Sequence, residues 1–371
     1  MGKRSSLILQ AMHVNKDFVL KTLFVVLILA VALPTNAITR NNRDSLLKLP
    51  LFKYEKLLDL ELKTDMISLL NDIGEERDYH KCLFKSIGAD WALPKEIEVK
   101  VKTRGNFRRR KQNCNFPPLR FKFPLDLLKG TEFVGQDRLK YVSHCQSSMD
   151  GYEQNTIKEY LVYKMYNLID KHSYRVRLTR IRFVDTIYGD SLQRIGFFLE
   201  DKKDVAIRNG KTILQYKNIQ QYNILRSNMV MLSLFQMMVG NSDWDVSRLH
   251  NIDLLSVDEN SIPVAVPFDF DWCSIVDHSY YTPDPRIDMD GKYKRMYKGY
   301  RWSDEEFKTA FSKFKNLKES FLELISENRY LNEESKQSMM NYILTFYELL
   351  DSPRDIKVEI EKKAQIIPKM K

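Results

Sequence analysis

Several features that would mark a familiar nucleotide or metal fold are missing from this chain. Neither G-x-G-x-x-G nor G-x-x-x-x-G-K-[ST] occurs in its 371 residues, so the dinucleotide-binding and P-loop signatures are excluded. Cysteine is scarce, and Cys82, Cys114, Cys145 and Cys273 stand at spacings that fit no zinc site. His144, His250 and His278 form no ligand-spaced set, and Ser242 and Ser247 lack a histidine with triad logic, which argues against a serine hydrolase. Internal repeats and low-complexity tracts are absent. Acidic residues are the minority, 49 against 59 Lys and Arg, for a net charge of +10. That excess suits an anionic ligand such as a nucleotide or phosphate ester without demanding one. A nucleic-acid partner would rest on one arginine run alone and is not expected.

Long apolar runs are also wanting. The uncharged stretch Leu23–Leu33 has eleven residues, too few for a comfortable membrane span. Lys16 and Lys21 precede it and Pro34-Thr35-Asn36-Ala37 follows, the layout of a signal peptide cleaved after Ala37. The long stretch before it leaves an uncleaved anchor as the alternative, the one case in which a membrane contact is expected. No cysteine follows to accept a lipid. Export then permits disulfides, and Cys114 with Cys145 is the favoured pairing, since both stand at ends of neighbouring predicted strands.

What is present is an ordinary globular composition, 43% hydrophobic and 29% charged. Residues 38–55 read as a polar lead-in, and Leu57–Leu70 shows roughly helical spacing. Strands are predicted at Glu96–Asn106, Leu119–Phe123, Arg138–His144, Tyr174–Asp185 and Arg194–Asp201, from alternation of apolar and charged residues. A helix is predicted at Thr156–Ile169 and an all-apolar core helix at Tyr222–Val239. After two short strands and a Tyr/Pro/Gly-rich loop at 280–300, the chain reads as helical from Ser303 onward, at 305–318, 321–328, 333–350 and 356–366. The expected organisation is a leader over 1–37, a lead-in over 38–94, a β-rich part over 95–205 and an α-rich part over 206–371.

Two acidic groups carry the chemistry. "NSDWDVSRLHN" offers Asp243 to orient an attacking hydroxyl and Asn251, eight positions on, as an amide ligand. "PFDFDW" offers Asp269 and Asp271 on one side of an extended strand. Two carboxylates in an apolar strand call for a positive neutraliser, and a magnesium ion takes such hard oxygen ligands. Phosphoryl transfer needs this combination. The loop "RGNFRRR" could hold phosphates through backbone N–H groups near Gly105 and through Arg104 and its neighbours. Lys140 could reach a phosphate while paired to Glu159, with Lys122 as the rival lysine.

The run "VKTRGNFRRR…CNFPPLRFKF", "LKYVSHC", "EYLVYKM", "VGNSDWDVSRLHN" and "VPFDFDW" resembles the CotH kinase family, and most resembles its exported Bacteroidetes-type branch. The likeness spans about residues 95–300. It implies an α+β, protein-kinase-like two-lobed fold with ATP held between the lobes and Mg2+ or Mn2+ as cofactor. It implies a protein hydroxyl as acceptor. It makes Asp243 the catalytic aspartate and Asn251, Asp269 and Asp271 the metal group. Arg104, Gly105, Lys140 and Glu159 become the nucleotide-side residues. Asn251 stands later than in a conventional kinase, no glycine follows Asp271, and the basic loop carries extra arginines. A non-catalytic interaction protein of the envelope is therefore the alternative.

Overall fold

Alternation of inward apolar and outward charged residues is the dominant pattern of the first half, and it builds one closed sheet. The computed structural model describes residues 49–87, 93, 95–147 and 150–368. The leader over 1–37 lies outside the described residues. Strand β3 (Ile97–Thr103) shows the pattern plainly, with Ile97, Val99 and Val101 buried and Glu98 and Lys100 exposed. β4 (Leu119–Lys122), β5 (Arg138–Val142), β6 (Val176–Asp185) and β7 (Ser191–Leu199) fall within or beside the segments predicted as strands.

The segment 57–70 differs from its reading. Leu58, Leu60 and Leu62 alternate with Asp59, Glu61 and Lys63, a period of two, and form strand β1 (Leu58–Thr64). Helix α1 (Met66–Asn71) follows, its cap Asp65 accepting the Ser68 N–H at 2.9 Å. A further strand, β2 (His80–Ser86), lies within the stretch read as lead-in. β1 pairs antiparallel with β2 and parallel with β6, and the strand order β1-β2-β3-β4-β5-β7-β6 closes into a barrel.

That closure overturns the expected protein-kinase-like two-lobed fold. A closed seven-stranded mixed barrel stands where a kinase-like β-rich N-lobe was expected, because β1 and β2 fill the gap between β6 and β3 and leave no sheet edge. The barrel interior is filled by Leu60, Leu62, Val99 and an aromatic cluster of Phe84, Phe121, Phe123, Phe133 and Phe198. The Cys114–Cys145 disulfide ties the loop after β3 to the end of β5. Cys82 and Cys273 are free and buried.

A second apolar core lies outside the barrel. Helix α2 (Asp150–Ile169) packs on β7 and β6, and a short helix α3 (Lys202–Arg208) follows. Helix α4 (Arg226–Val239) is buried at every position from Asn228 to Val239, as an all-apolar helix should be. Helices α5 (Asp304–Ser326) and α6 (Glu333–Asp351) pack around it; α5 runs unbroken across the interruption expected at 319–320. A small sheet, β8 (Thr212–Leu214), β9 (Ile252–Ser256) and β10 (Val264–Pro267), completes this part, and 356–361 forms a π-helical turn. No described helix is long and apolar enough to cross a membrane.

Candidate functional site

Helix α4 delivers the first acidic group. It ends at Gly240, whose φ of 70° is left-handed and where a β-carbon would collide with the Tyr342 hydroxyl and Ser274. The chain then turns into the Asp243 loop. Asn241 Oδ1 accepts the Asp243 N–H at 2.8 Å. Lys298 Nζ donates to the carbonyls of Ser242 (2.6 Å) and Trp244 (2.9 Å), so the loop is pinned on both sides of Asp243. Asp243 remains 39% exposed. Its Oδ1 lies 2.7 Å from His250 Nε2, and its Oδ2 accepts from Asn251 Nδ2 at 2.9 Å. Asp245 is occupied by the turn itself, accepting from Ser247 Oγ and the Arg248 N–H.

The second acidic group is brought to the first by the β9–β10 ladder. Ile252 pairs with Pro267, and the Phe268 N–H donates to the Asn251 carbonyl at 3.0 Å, extending the register by one step. Asn251 and Asp269 therefore leave the same end of the ladder, both with left-handed backbone, φ 53° and 63°. The Asp269 N–H is anchored to the Tyr163 hydroxyl at 2.8 Å. Among the described residues nothing donates to Asn251 Oδ1 or to the Asp269 carboxylate. Desolvation and the neighbouring Asp271 push the Asp269 carboxyl above its usual range, against the pull of Arg108, Arg104 and Lys140.

Asp271 is used differently. Left-handed Asp269 ends the extended geometry, so the two aspartates do not share one face of a strand as expected. Asp271 Oδ2 instead accepts from Arg108 Nε (2.9 Å) and the Tyr280 hydroxyl (2.8 Å). Arg108 Nη2 also donates to Glu159 Oε2 at 2.8 Å. All three charged groups are buried. Burial works against ionisation of Asp271, but Arg108, His278 and Tyr280 outweigh it and hold the carboxyl below its ordinary range. Burial dominates at Glu159, whose Oε1 has no partner, and pushes its carboxyl up to about 8. Phe107 fixes the same loop by packing on Trp272 and Tyr280, ring centroids 5.1 and 5.2 Å apart.

Lys140 and Glu159 are not brought together; Arg108 takes the glutamate. Lys140 stands opposite Arg120 across β4–β5, its Nζ 5.5 Å from the Phe268 ring centroid. Burial, with Arg104 beside it, pushes its ammonium down to about 8, while Asp253 and Asp269 pull the other way. Lys122 is exposed, opposite Arg138 on the outer face, so Lys140 is the lysine beside Asp269. Arg120, Lys140, Lys202, Asp253 and Phe268 are among the residues lining a cavity of about 430 Å³. Arg104 donates its N–H to the Pro118 carbonyl at 2.8 Å, and Gly105 adopts φ 92°.

Arg108 and His250 are the two residues that sequence reasoning passed over. The signal for Arg108 was a carboxylate on a buried helix that needed a cation; for His250, spacing gave none. Among the described residues no group of three or more His, Cys, Asp or Glu is placed to hold a metal ion. Asn251 Oδ1 and the Asp269 carboxylate are nonetheless hard oxygens without donors at the same end of the β9–β10 ladder, the small protein share that a magnesium ion takes when phosphates supply the rest.

No protein-family model matches the chain, and no curated protein matches it. Among solved structures there is a distant likeness to one described as the crystal structure of the golgi casein kinase, at 9% identity and a TM-score of 0.31, covering 84% of this chain and 76% of that one. A likeness so weak carries no weight for fold or activity.

Proposed function

We propose that this chain is a phosphotransferase that moves the terminal phosphoryl group of ATP to a hydroxyl, most simply that of a protein. The observation that carries the reading is the convergence of Asp243, Asn251 and Asp269 through one hydrogen-bonded pair and one step of β-ladder. Asp243 accepts the proton of the attacking hydroxyl as the new O–P bond forms and the bond to the departing nucleoside diphosphate breaks. Asn251 and His250 hold that carboxylate in place. Asn251 Oδ1 and Asp269 would hold Mg2+ or Mn2+, which supplies charge neutralisation at the phosphates when bound. Lys140, Arg120 and Arg104 line the approach with positive charge, and Phe268 gives the neighbouring cavity an aromatic wall. The motif likeness to the CotH kinases supports the same roles. The Cys114–Cys145 disulfide supports an oxidising compartment and hence export.

The test is label transfer from γ-labelled ATP to a panel of protein acceptors or to the chain itself. Asp243→Asn and Asp269→Ala should each lower it by about 100-fold or more. Labelling equal to that of the parent would remove the catalytic reading.

One observation favours a second reading, a nucleotide-free interaction protein. Arg108 consumes Glu159 and Asp271, two carboxylates expected to serve the nucleotide and metal. Mg-ATP separates the two readings. A ligand that binds only the native state raises the melting temperature, and no shift at millimolar nucleotide would favour the second.

A further inference from the structure

The outer face of the barrel carries an arrangement that folding alone does not favour. Lys81, Lys100, Lys122 and Arg138 stand directly opposite one another across β2, β3, β4 and β5. Neighbouring strands lie about 5 Å apart, and like charges at such positions repel. Glu98 offsets Lys81 and Asp137 offsets Arg138, while Lys100 and Lys122, both exposed, have no acidic partner among the described residues. The connection after Lys122 then presents Leu125 and Leu127, 51% and 56% exposed, with exposed Lys129 following. The rest of that connection is anchored, since Leu128 and Phe133 fill the barrel.

We infer that this end of the barrel docks on a bilayer surface containing anionic lipid, a property independent of the phosphotransferase reading. Basic residues on a sheet face are attracted to anionic headgroups, and two bare leucines beside them can enter the headgroup boundary. An acidic protein partner would satisfy the lysines but give no use to the leucines. The chain's own path points the same way. Its first described residue, Leu49, packs against Gly135 in the same β4–β5 connection, where a β-carbon would come within 2.9 Å of the leucine side chain. Where the leader stays uncleaved, fifteen residues separate Leu49 from the end of the apolar run Leu23–Leu33. Those residues can reach at most about 50 Å, so a run held in a membrane keeps this end of the barrel near it.

The test uses the full chain with phosphatidylcholine vesicles and with vesicles that also contain phosphatidylglycerol. Partition onto the anionic vesicles should exceed that onto neutral ones and weaken as salt is added. Lys100→Gln with Lys122→Gln should lower the anionic partition about thirtyfold and leave the neutral baseline unchanged. These substitutions relieve repulsion, so the melting temperature should hold or rise. Leu127→Trp places a reporter on the face, and brominated phosphatidylglycerol should quench it beyond the parent. Equal partition onto both vesicle types, or no added quenching in the bound Leu127→Trp chain, overturns the proposal. Displacement by polyglutamate at lower charge concentration than anionic lipid would assign the face to an acidic protein instead, and also overturns it.

Discussion

Asn251 and Asp269 hold left-handed backbone, a conformation that costs most residues about 1–2 kcal/mol and that Asn and Asp tolerate best. Two such residues at one end of the β9–β10 ladder, each with an oxygen free of donors, are the local features that mark this as a site rather than a turn. Their residue types were legible in the sequence, and their common placement was not, because it depends on the β9–β10 register. Arg108 was legible only as one of four basic residues in a loop. Its role depends on Glu159 and Asp271 arriving from 51 and 163 residues away. Removing one partner of a buried ion network leaves the others uncompensated, a loss of about 3–5 kcal/mol. Arg108→Ala should show that loss in urea unfolding, and adding Glu159→Gln should recover part of it. A loss under about 1 kcal/mol would reduce the network to the value of a surface pair.

At the scale of elements, strands with clean alternation were readable, and β3 through β7 were found at or near their predicted places. β1 was not, since four leucines in the seven residues from Leu57 to Lys63 satisfy a helical spacing as readily as an extended one. Only pairing with β2 and β6 decides between them. β1 and the equally unread β2 together close the sheet, so missing both hid the barrel. The loop between β3 and β4 is held less by regular structure than by the Cys114–Cys145 bond, which closes a separation of 31 residues. A cross-link of that length is worth about 3–4 kcal/mol through the unfolded chain. Reduction should therefore lower the melting temperature, and Cys114→Ser/Cys145→Ser should match the reduced parent. If the double variant melts with the oxidised parent, the bond contributes nothing to stability.

Across the whole molecule, two buried histidines set an acid limit. His144 lies against Phe116 with Nδ1 unpartnered, and burial, reinforced by Arg194, pushes its pKa down to about 3. His278 takes a hydrogen bond from Asn155 at Nδ1 and stacks on Tyr280, and burial pushes it to about 3 as well, Arg108 and Lys158 adding to the effect. Both stay neutral in the fold, whereas the unfolded chain protonates them near pH 6.5. The stability they confer is complete above pH 6.5 and is lost as pH falls toward 3, at up to about 1.4 kcal/mol per pH unit for each. Asp204 acts in the opposite sense. Burial and the carboxylates of Glu200 and Asp201 raise it to about 7, so its stabilising effect grows as pH falls from there toward 4. The pH profile of the parent mixes these trends, and a substitution isolates one of them. His144→Phe keeps the aromatic packing and removes one titrating group. Between pH 6.5 and 5 it should lose about 1.6 kcal/mol less stability than the parent, read as the difference between urea unfolding free energies at the two pH values. Equal losses in both proteins would mean that His144 is already charged in the fold, and the buried, neutral ring packed against Phe116 would have to be abandoned.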